Sequence, residues 1–122
     1  MVEGDALPST AALIDWFELS TTQRSFIEGA AATNLAAEGQ VPGAFGPFAR
    51  APERQYGLTP EQVAFWDIHE TADRDHSDIG DHIVVRFATS DEWQTKVRRA
   101  VERSLALWWS FFDDIGRAIE AR

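Results

Sequence analysis

The sequence contains no cysteine and few basic residues: 11 Lys and Arg stand against 20 Asp and Glu, for a formal net charge of -9. Without cysteine the chain can form no disulfide, no thiolate metal site and no cysteine nucleophile. The acidic balance argues against nucleic acid or an anionic membrane surface as a partner, because both bind basic patches. The chemistry left to this chain uses nitrogen and oxygen side chains.

Long apolar stretches are absent as well. The sequence has no apolar run of about 18 residues, the length that a transmembrane helix needs. Its first residues, MVEGDALPST, lack the basic and apolar segments of a signal peptide. They read as a genuine start rather than a cut. We therefore expect a cytoplasmic protein, which the lack of cysteine also fits.

Large aromatic side chains are what the sequence has in quantity. Its 122 residues are 44% hydrophobic and include eight Phe and five Trp. A chain of this length predicts a single domain over residues 1–122. So many aromatic residues favour a large apolar core or a subunit interface.

The first half of the chain predicts one long helix and a breaker. After a short lead over residues 1–8, the helix is expected from the Ser9-Thr10 pair to about Gly39. Hydroxyl side chains at positions 20–22 indicate a kink or break, because they compete for backbone hydrogen bonds. The glycines and prolines of residues 39–47 then end the helix.

The second half predicts two more long helices. A short helix or irregular segment over residues 48–56 precedes Thr59, which can cap a helix with Gln62 completing a capping box. This helix is expected to reach Phe87, with the glycine inside it marking close packing. Ser90 and the two acidic residues after it begin the last helix.

The last helix carries an apolar stripe at helical 3-4 spacing. The stripe is Trp93, Val97, Val101, Leu105, Trp108, Phe112, Ile115 and Ile119. The only strand-like residues, 83–85, are interpreted as the tail of the preceding helix. The sequence therefore predicts an all-α helical bundle.

Candidate metal ligands lie within the second long helix. His69, Asp73 and His76 form an H-x3-D-x2-H pattern. At 3.6 residues per turn, positions i, i+4 and i+7 share one stripe of a helix. Imidazole and carboxylate donors suit iron, manganese or zinc. His82 falls off the stripe and is expected to be exposed.

Two ordinary interpretations compete with metal binding. A single histidine in a helix is usually a core or surface residue, and the neighbouring Asp75 and Asp78 also fit a solvated acidic face. Asp73, however, aligns with His69 and His76, whereas Asp75 and Asp78 lie off that line. The alignment favours a metal site.

Glu38 is the candidate ligand from the first helix. It ends that helix beside the Gly/Pro breaker, where the chain turns back. Glu18 and Glu28 precede it at intervals of ten residues. Each interval rises about 15 Å along a helix, so the three cannot share one centre. The alternative for Glu38 is an ordinary surface residue at a helix end.

Three stretches carry a family resemblance: residues 38–42 (EGQVP), 56–58 (YGL) and 65–76 (FWDIHETADRDH). They resemble the iron-containing redox enzymes of the heme-oxygenase-like fold, the heme-oxygenase-like diiron oxidases, which are related to thiaminase-type and pyrroloquinoline-quinone-synthase proteins. Residues 108–113 (WWSFFD) resemble the family's last helix, and the similarity covers about residues 22–119. It implies Glu38, His69, Asp73 and His76 as ligands of one or two Fe ions, with Mn as an alternative metal.

The chain departs from this family in length. Family domains are about twice as long, and their earlier half supplies at least a further Glu and a His. The resemblance thus covers about half of a heme-oxygenase-like fold, the C-terminal half. We expect a partner protein subunit or a second copy to complete the bundle, since rich apolar stripes would otherwise leave an exposed face. The alternative is a compact three-helix monomer.

The resemblance implies a non-heme iron oxidase or oxygenase that activates dioxygen. Substrates of the family are small organic molecules such as amino acids or fatty acids, and nothing in this sequence selects among them. A second interpretation is a non-catalytic structural or interaction subunit with a degenerate metal site. A third is a cofactor-independent, thiaminase-like enzyme, which the lack of cysteine disfavours.

Overall fold

The computed structural model describes residues 6–121, and within that range it contains helices and turns but no strand. Five α-helices follow one another: α1 (Pro8–Thr22), α2 (Phe26–Ala30), α3 (Phe45–Tyr56), α4 (Pro60–Phe87) and α5 (Asp91–Glu120). After α2 the helix continues as a π-helical segment, Ala31–Ala37, and a 3-10 turn, Glu38–Gln40. The all-α prediction is confirmed. Of the predicted lead, residues 1–5 lie outside the described range.

The expected break in the first helix is present, just after the hydroxyl residues. α1 ends at Thr22, and Ser25 begins a new helix by accepting a hydrogen bond from the Glu28 N–H at 3.3 Å. Partial burial alone raises the pKa of Glu28, but hydrogen bonds from Ser25 and Arg24 outweigh it and leave that pKa below its usual value. These contacts turn the chain at the α1–α2 corner.

The two long helices begin where the sequence predicts. Pro60 is the first residue of α4, and the Gln62 side chain accepts a hydrogen bond from the Thr59 N–H at 2.9 Å. Ser90 caps α5 by accepting from the Trp93 N–H at 3.3 Å. Both starts follow from side chains that satisfy backbone donors left free at a helix N-terminus.

The π-helical segment lies at the centre of the fold, packed against both α4 and α5. Its Ala31 and Ala32 are fully buried, and their small side chains let the neighbouring helices approach closely. α1 covers α5, and the Trp16 indole N–H donates to the Ser104 hydroxyl at 2.7 Å. That hydrogen bond satisfies a buried donor which would otherwise be costly to desolvate.

The predicted apolar stripe of α5 is only partly right. The buried residues of α5 are Val97, Ala100, Ser104 and Leu107. A step of four residues overshoots a full turn by about 40°, so the predicted series drifts around the helix and away from the core. In addition, the close approach of the π-helical segment favours small side chains such as Ala100 and Ser104.

Large apolar side chains remain exposed on both long helices. They are Phe65, Ile68, Ile79, Val85 and Phe87 on α4 and Leu105, Trp109, Phe112 and Ile119 on α5. Trp109 has the largest exposed fraction among those on α5, 74%. None of the helices in the described range is both long and apolar enough to cross a membrane. The expected exposure of apolar surface is therefore present in the single chain.

Gly80 marks the closest approach between α4 and the π-helical segment. A Cβ atom at this position would lie 2.8 Å from the Asn34 Cβ and 3.1 Å from the Leu35 backbone nitrogen. Real Cβ atoms essentially never lie as close as 2.8 Å to another heavy atom, and 3.1 Å is closer than most Cβ contacts, so a neighbour would have to shift. The expected close packing at this glycine is confirmed.

Gly80→Ala should lower the free energy of unfolding by about 1–3 kcal/mol, the usual result of overpacking. This loss should exceed the gain of about 1 kcal/mol in helix propensity that alanine brings. Gly116→Ala is the matched control, because nothing lies within 4 Å of its added Cβ. Urea unfolding should show the control equal to or above wild type; equal stability of the two variants would contradict the packing argument.

Candidate metal site

Three of the predicted ligands come together between α4 and the 3-10 turn. One ligand atom each from Glu38, Asp73 and His76 lies within 4.8 Å of the others. The His76 Nδ1 is 3.0 Å from the Asp73 Oδ1 and 3.6 Å from the Glu38 Oε1. Two helical elements far apart in sequence thus converge on a volume that a single ion could fill.

Asp73 is the buried member of this group, with 2% of its surface exposed. Removing a carboxylate from water costs free energy unless another group balances its charge or donates a hydrogen bond to it. Among the described residues, its hydrogen-bond partner is the His76 imidazole, whose Nδ1 lies 3.0 Å from the Asp73 Oδ1. A carboxylate only accepts, so we assign the proton of this hydrogen bond to the Nδ1. Two carboxylates and one imidazole form a donor set that fits iron, manganese or zinc.

Asn34 orients the Glu38 carboxylate. Its amide Nδ2 donates to the Glu38 Oε2 at 2.7 Å. The other oxygen of Glu38 is left on the side of His76. Asn34 lies in the π-helical segment, a conformation frequent at functional sites. Asn34 is not among the site residues predicted from the sequence, although a polar pair four residues apart is a recognisable signal.

His69 is the predicted ligand that the structure does not bring into the group. Its Nδ1 lies 2.7 Å from the Phe65 carbonyl oxygen, and the Phe65 ring packs at 4.2 Å from its own. A carbonyl only accepts, so the Nδ1 carries the proton and the Nε2 of the neutral ring is free of one. Such a backbone bond is common in histidines that ligate metals. A ligand role for His69 stays a prediction, and His82 is exposed as expected.

The Glu70 side chain connects α4, the ligand-bearing helix, to the Gly/Pro loop (residues 41–44) and the first turn of α3. Its two carboxylate oxygens accept hydrogen bonds from the Gly43 N–H at 2.6 Å and the Gly46 N–H at 2.9 Å. The Gly43 N–H is the main cause that holds the pKa of Glu70 below its usual value, and Gly46 adds to it. Glu70 is not among the predicted site residues either, because its contact with Gly43 spans 27 positions and no local sequence pattern indicates it.

The sequence profile of the family described as iron-containing redox enzymes matches residues 2–109. The chain belongs to this family. The matched range includes Glu38, His69, Asp73 and His76. Family membership points to iron, which is one of the metals that the oxygen and nitrogen donor set fits. The resemblance stated from the sequence motifs is confirmed.

One curated protein matches nearly the whole of this chain. It is the 4-aminobenzoate synthase of Nitrosomonas europaea, 33% identical over 116 residues, which are 94% of this chain and 47% of the relative. This member of the iron-containing redox enzyme family therefore spans about half the length of the curated relative it matches. No solved structure matches significantly.

Asn34→Ala should weaken Fe(II) binding by about 10- to 100-fold, the usual effect of removing a group that orients a metal ligand. Anaerobic Fe(II) titration measures the dissociation constant, and helical circular dichroism monitors the fold. Gln94→Ala is the control, because it removes an exposed amide from α5. An unchanged iron affinity in Asn34→Ala would rule out the orienting role.

The tie between Glu70 and the loop should depend on pH in the acidic range. The folded pKa of Glu70 lies below the ordinary value of 4.5. The ionised carboxylate therefore keeps both hydrogen bonds above pH 4.5 and loses them as the pH falls through the lowered pKa. The amide proton shifts of Gly43 and Gly46 in NMR spectra should titrate with a midpoint below 4.5. Glu70→Gln should abolish this titration; a midpoint at or above 4.5 would contradict the assignment.

Proposed function

We propose that this chain contributes part of the iron centre of a dioxygen-activating oxidase or oxygenase that acts on a small organic substrate. The observation that carries the proposal is the convergence of Glu38 and His76 on the buried carboxylate of Asp73. Membership of the iron-containing redox enzyme family supports iron as the metal. His69 is the fourth ligand in this proposal.

The protein side of the chemistry follows from charge and position. Two carboxylates balance the two positive charges of a ferrous ion, and a neutral imidazole adds a nitrogen donor. When bound, iron would supply one-electron redox chemistry that these side chains lack. The His76 Nδ1–H points at the Asp73 Oδ1, so the imidazole must give up this proton or turn before that nitrogen can ligate. Burial keeps Asp73 fixed while this happens.

The iron centre is proposed to be completed by donors from outside this chain. The His76 side chain is 47% exposed, so the group is open on one side to a neighbouring molecule. Exposed apolar residues on α4 and α5 give such a neighbour surface to bury. A partner chain or a second copy would supply further carboxylate or imidazole ligands. The number of iron ions, one or two, depends on how many it brings.

The name of the Nitrosomonas relative guides the choice of substrate. A 4-aminobenzoate synthase forms a small aromatic acid, and we propose that compounds of this size and kind are tested on this chain before aliphatic amino acids or fatty acids. The chain spans 47% of that relative, so the activity belongs to the completed assembly in this proposal.

A second candidate function is a structural or interaction subunit with a degenerate metal site. The observation in its favour is that His69 lies outside the group that the other three ligands form. In that case removing histidines from α4 would leave both the iron content and the partner's activity unchanged.

His76→Ala should reduce Fe(II) affinity to less than about a tenth of the wild-type value, because removing even an outer partner of a ligand has that effect. The metal-free chain is reconstituted anaerobically with Fe(II), and bound iron is measured after gel filtration. His82→Ala is the matched control, since it removes an exposed histidine from the same helix. Asp73→Asn and Asp78→Asn form a second matched pair.

Exposure of the reconstituted protein to dioxygen tests the oxidase part of the proposal. Oxygen consumption and a new absorption band should follow in wild type and in the controls but not in His76→Ala or Asp73→Asn. Native mass spectrometry of the same samples reports the number of chains and iron ions per assembly. Equal iron loss in His82→Ala, or no iron binding in any assembly, would refute the proposal.

A further inference from the structure

An apolar pocket of about 130 Å³ lies between the Gly/Pro loop, α3 and α5. Its walls include Ala37, Ala44, Phe45, Phe48, Trp108 and Phe112. An engineered apolar cavity of about 150 Å³ in another protein stays dry and binds benzene. The volume here is therefore suited to one six-membered ring and little more.

The walls of this pocket are aromatic on several sides. The rings of Phe48 and Phe112 are nearly parallel, at 14°, with centroids 6.4 Å apart. Trp108 stacks on Phe112 at 5.6 Å, and Phe45 meets Phe48 edge to face at 5.8 Å. Aromatic walls favour an aromatic guest, because ring faces and edges carry opposite partial charges. We infer that the pocket binds the ring of a small monocyclic aromatic compound.

The pocket is connected to the ligand-bearing helix by packed aromatic rings. Phe45, one wall of the pocket, lies 6.4 Å from the Phe65 ring, which in turn packs at 4.2 Å against the His69 imidazole. Glu70, the next residue, holds the loop that forms another wall. Because the pocket connects to the ligand-bearing helix, we assign monocyclic aromatic compounds as the substrate class of the enzyme. This assignment rests on the function proposed above.

A side chain from a partner molecule is the rival occupant. Phe48 and Phe112 are about half exposed, so a neighbouring chain could reach the pocket. A free small molecule is favoured because Glu70 fixes the loop in the single chain, which leaves the pocket formed before any partner arrives. The contacts of Phe45 with Phe65 and of Phe65 with His69 also connect the pocket to one of the proposed iron ligands.

The test uses fluorobenzene as the probe and the metal-free chain as the receptor. Fluorine NMR of the probe should show saturable binding in the millimolar range. Ala44→Leu fills the pocket from its rim and should weaken binding by about tenfold or more. Ala106→Leu, which adds the same atoms at an exposed position of α5 outside the pocket, should bind as wild type does.

Four results would overturn the inference. Three of them are the absence of saturable binding, an Ala44→Leu variant that binds as tightly as Ala106→Leu, and equal binding of fluorocyclohexane. The fourth is a loss of probe binding as the protein concentration rises, which would show that a side chain of a second copy fills the pocket. Ring binding and iron binding are separate measurements, so a chain that binds the ring but no iron refutes only the iron function and the substrate assignment.

Discussion

Where the π-helical segment passes α4, no side chain separates the two backbones at position 80, because that residue is glycine. The absence of a Cβ atom there lets Asn34 and Leu35 approach the backbone of α4. This contact places Glu38, a few residues further on, beside Asp73 and His76. The core and the candidate metal site therefore depend on the same approach.

In the metal-free chain the buried Asp73 carboxylate has a hydrogen-bond partner in place of a counter-charge. The Asp73 carboxylate accepts a hydrogen bond from the His76 imidazole in place of water. One oxygen of the Glu38 carboxylate accepts a hydrogen bond from the Asn34 amide. Neither arrangement neutralises two carboxylates held so close together. Negative potential concentrated at one point, in a chain whose net charge is -9, attracts a cation. The electrostatics of the site and the chemistry of the family thus agree.

Local patterns were the most predictable part of this protein. The helix starts at Thr59 and Ser90, the break after Thr22 and the alignment of Asp73 with His76 depend on residues within two turns of each other, and sequence spacing reports them. Contacts between distant segments were not predictable in the same way. The contact from Glu70 to Gly43 and the shift of the buried face of α5 depend on where other helices settle, which no spacing within one helix specifies.

The π-helical segment makes the position of Glu38 depend on residue number as well as residue type. A π-helix holds one residue more per hydrogen-bonded turn than an α-helix does. If the residues Ala31–Ala37 closed into an ordinary α-helix with none of them removed, everything after them would rotate by about 100°. Glu38 would then face away from α4 although every ligand was still present. In relatives of this chain, a one-residue gap in this segment would allow an ordinary α-helix that still turns the glutamate towards α4.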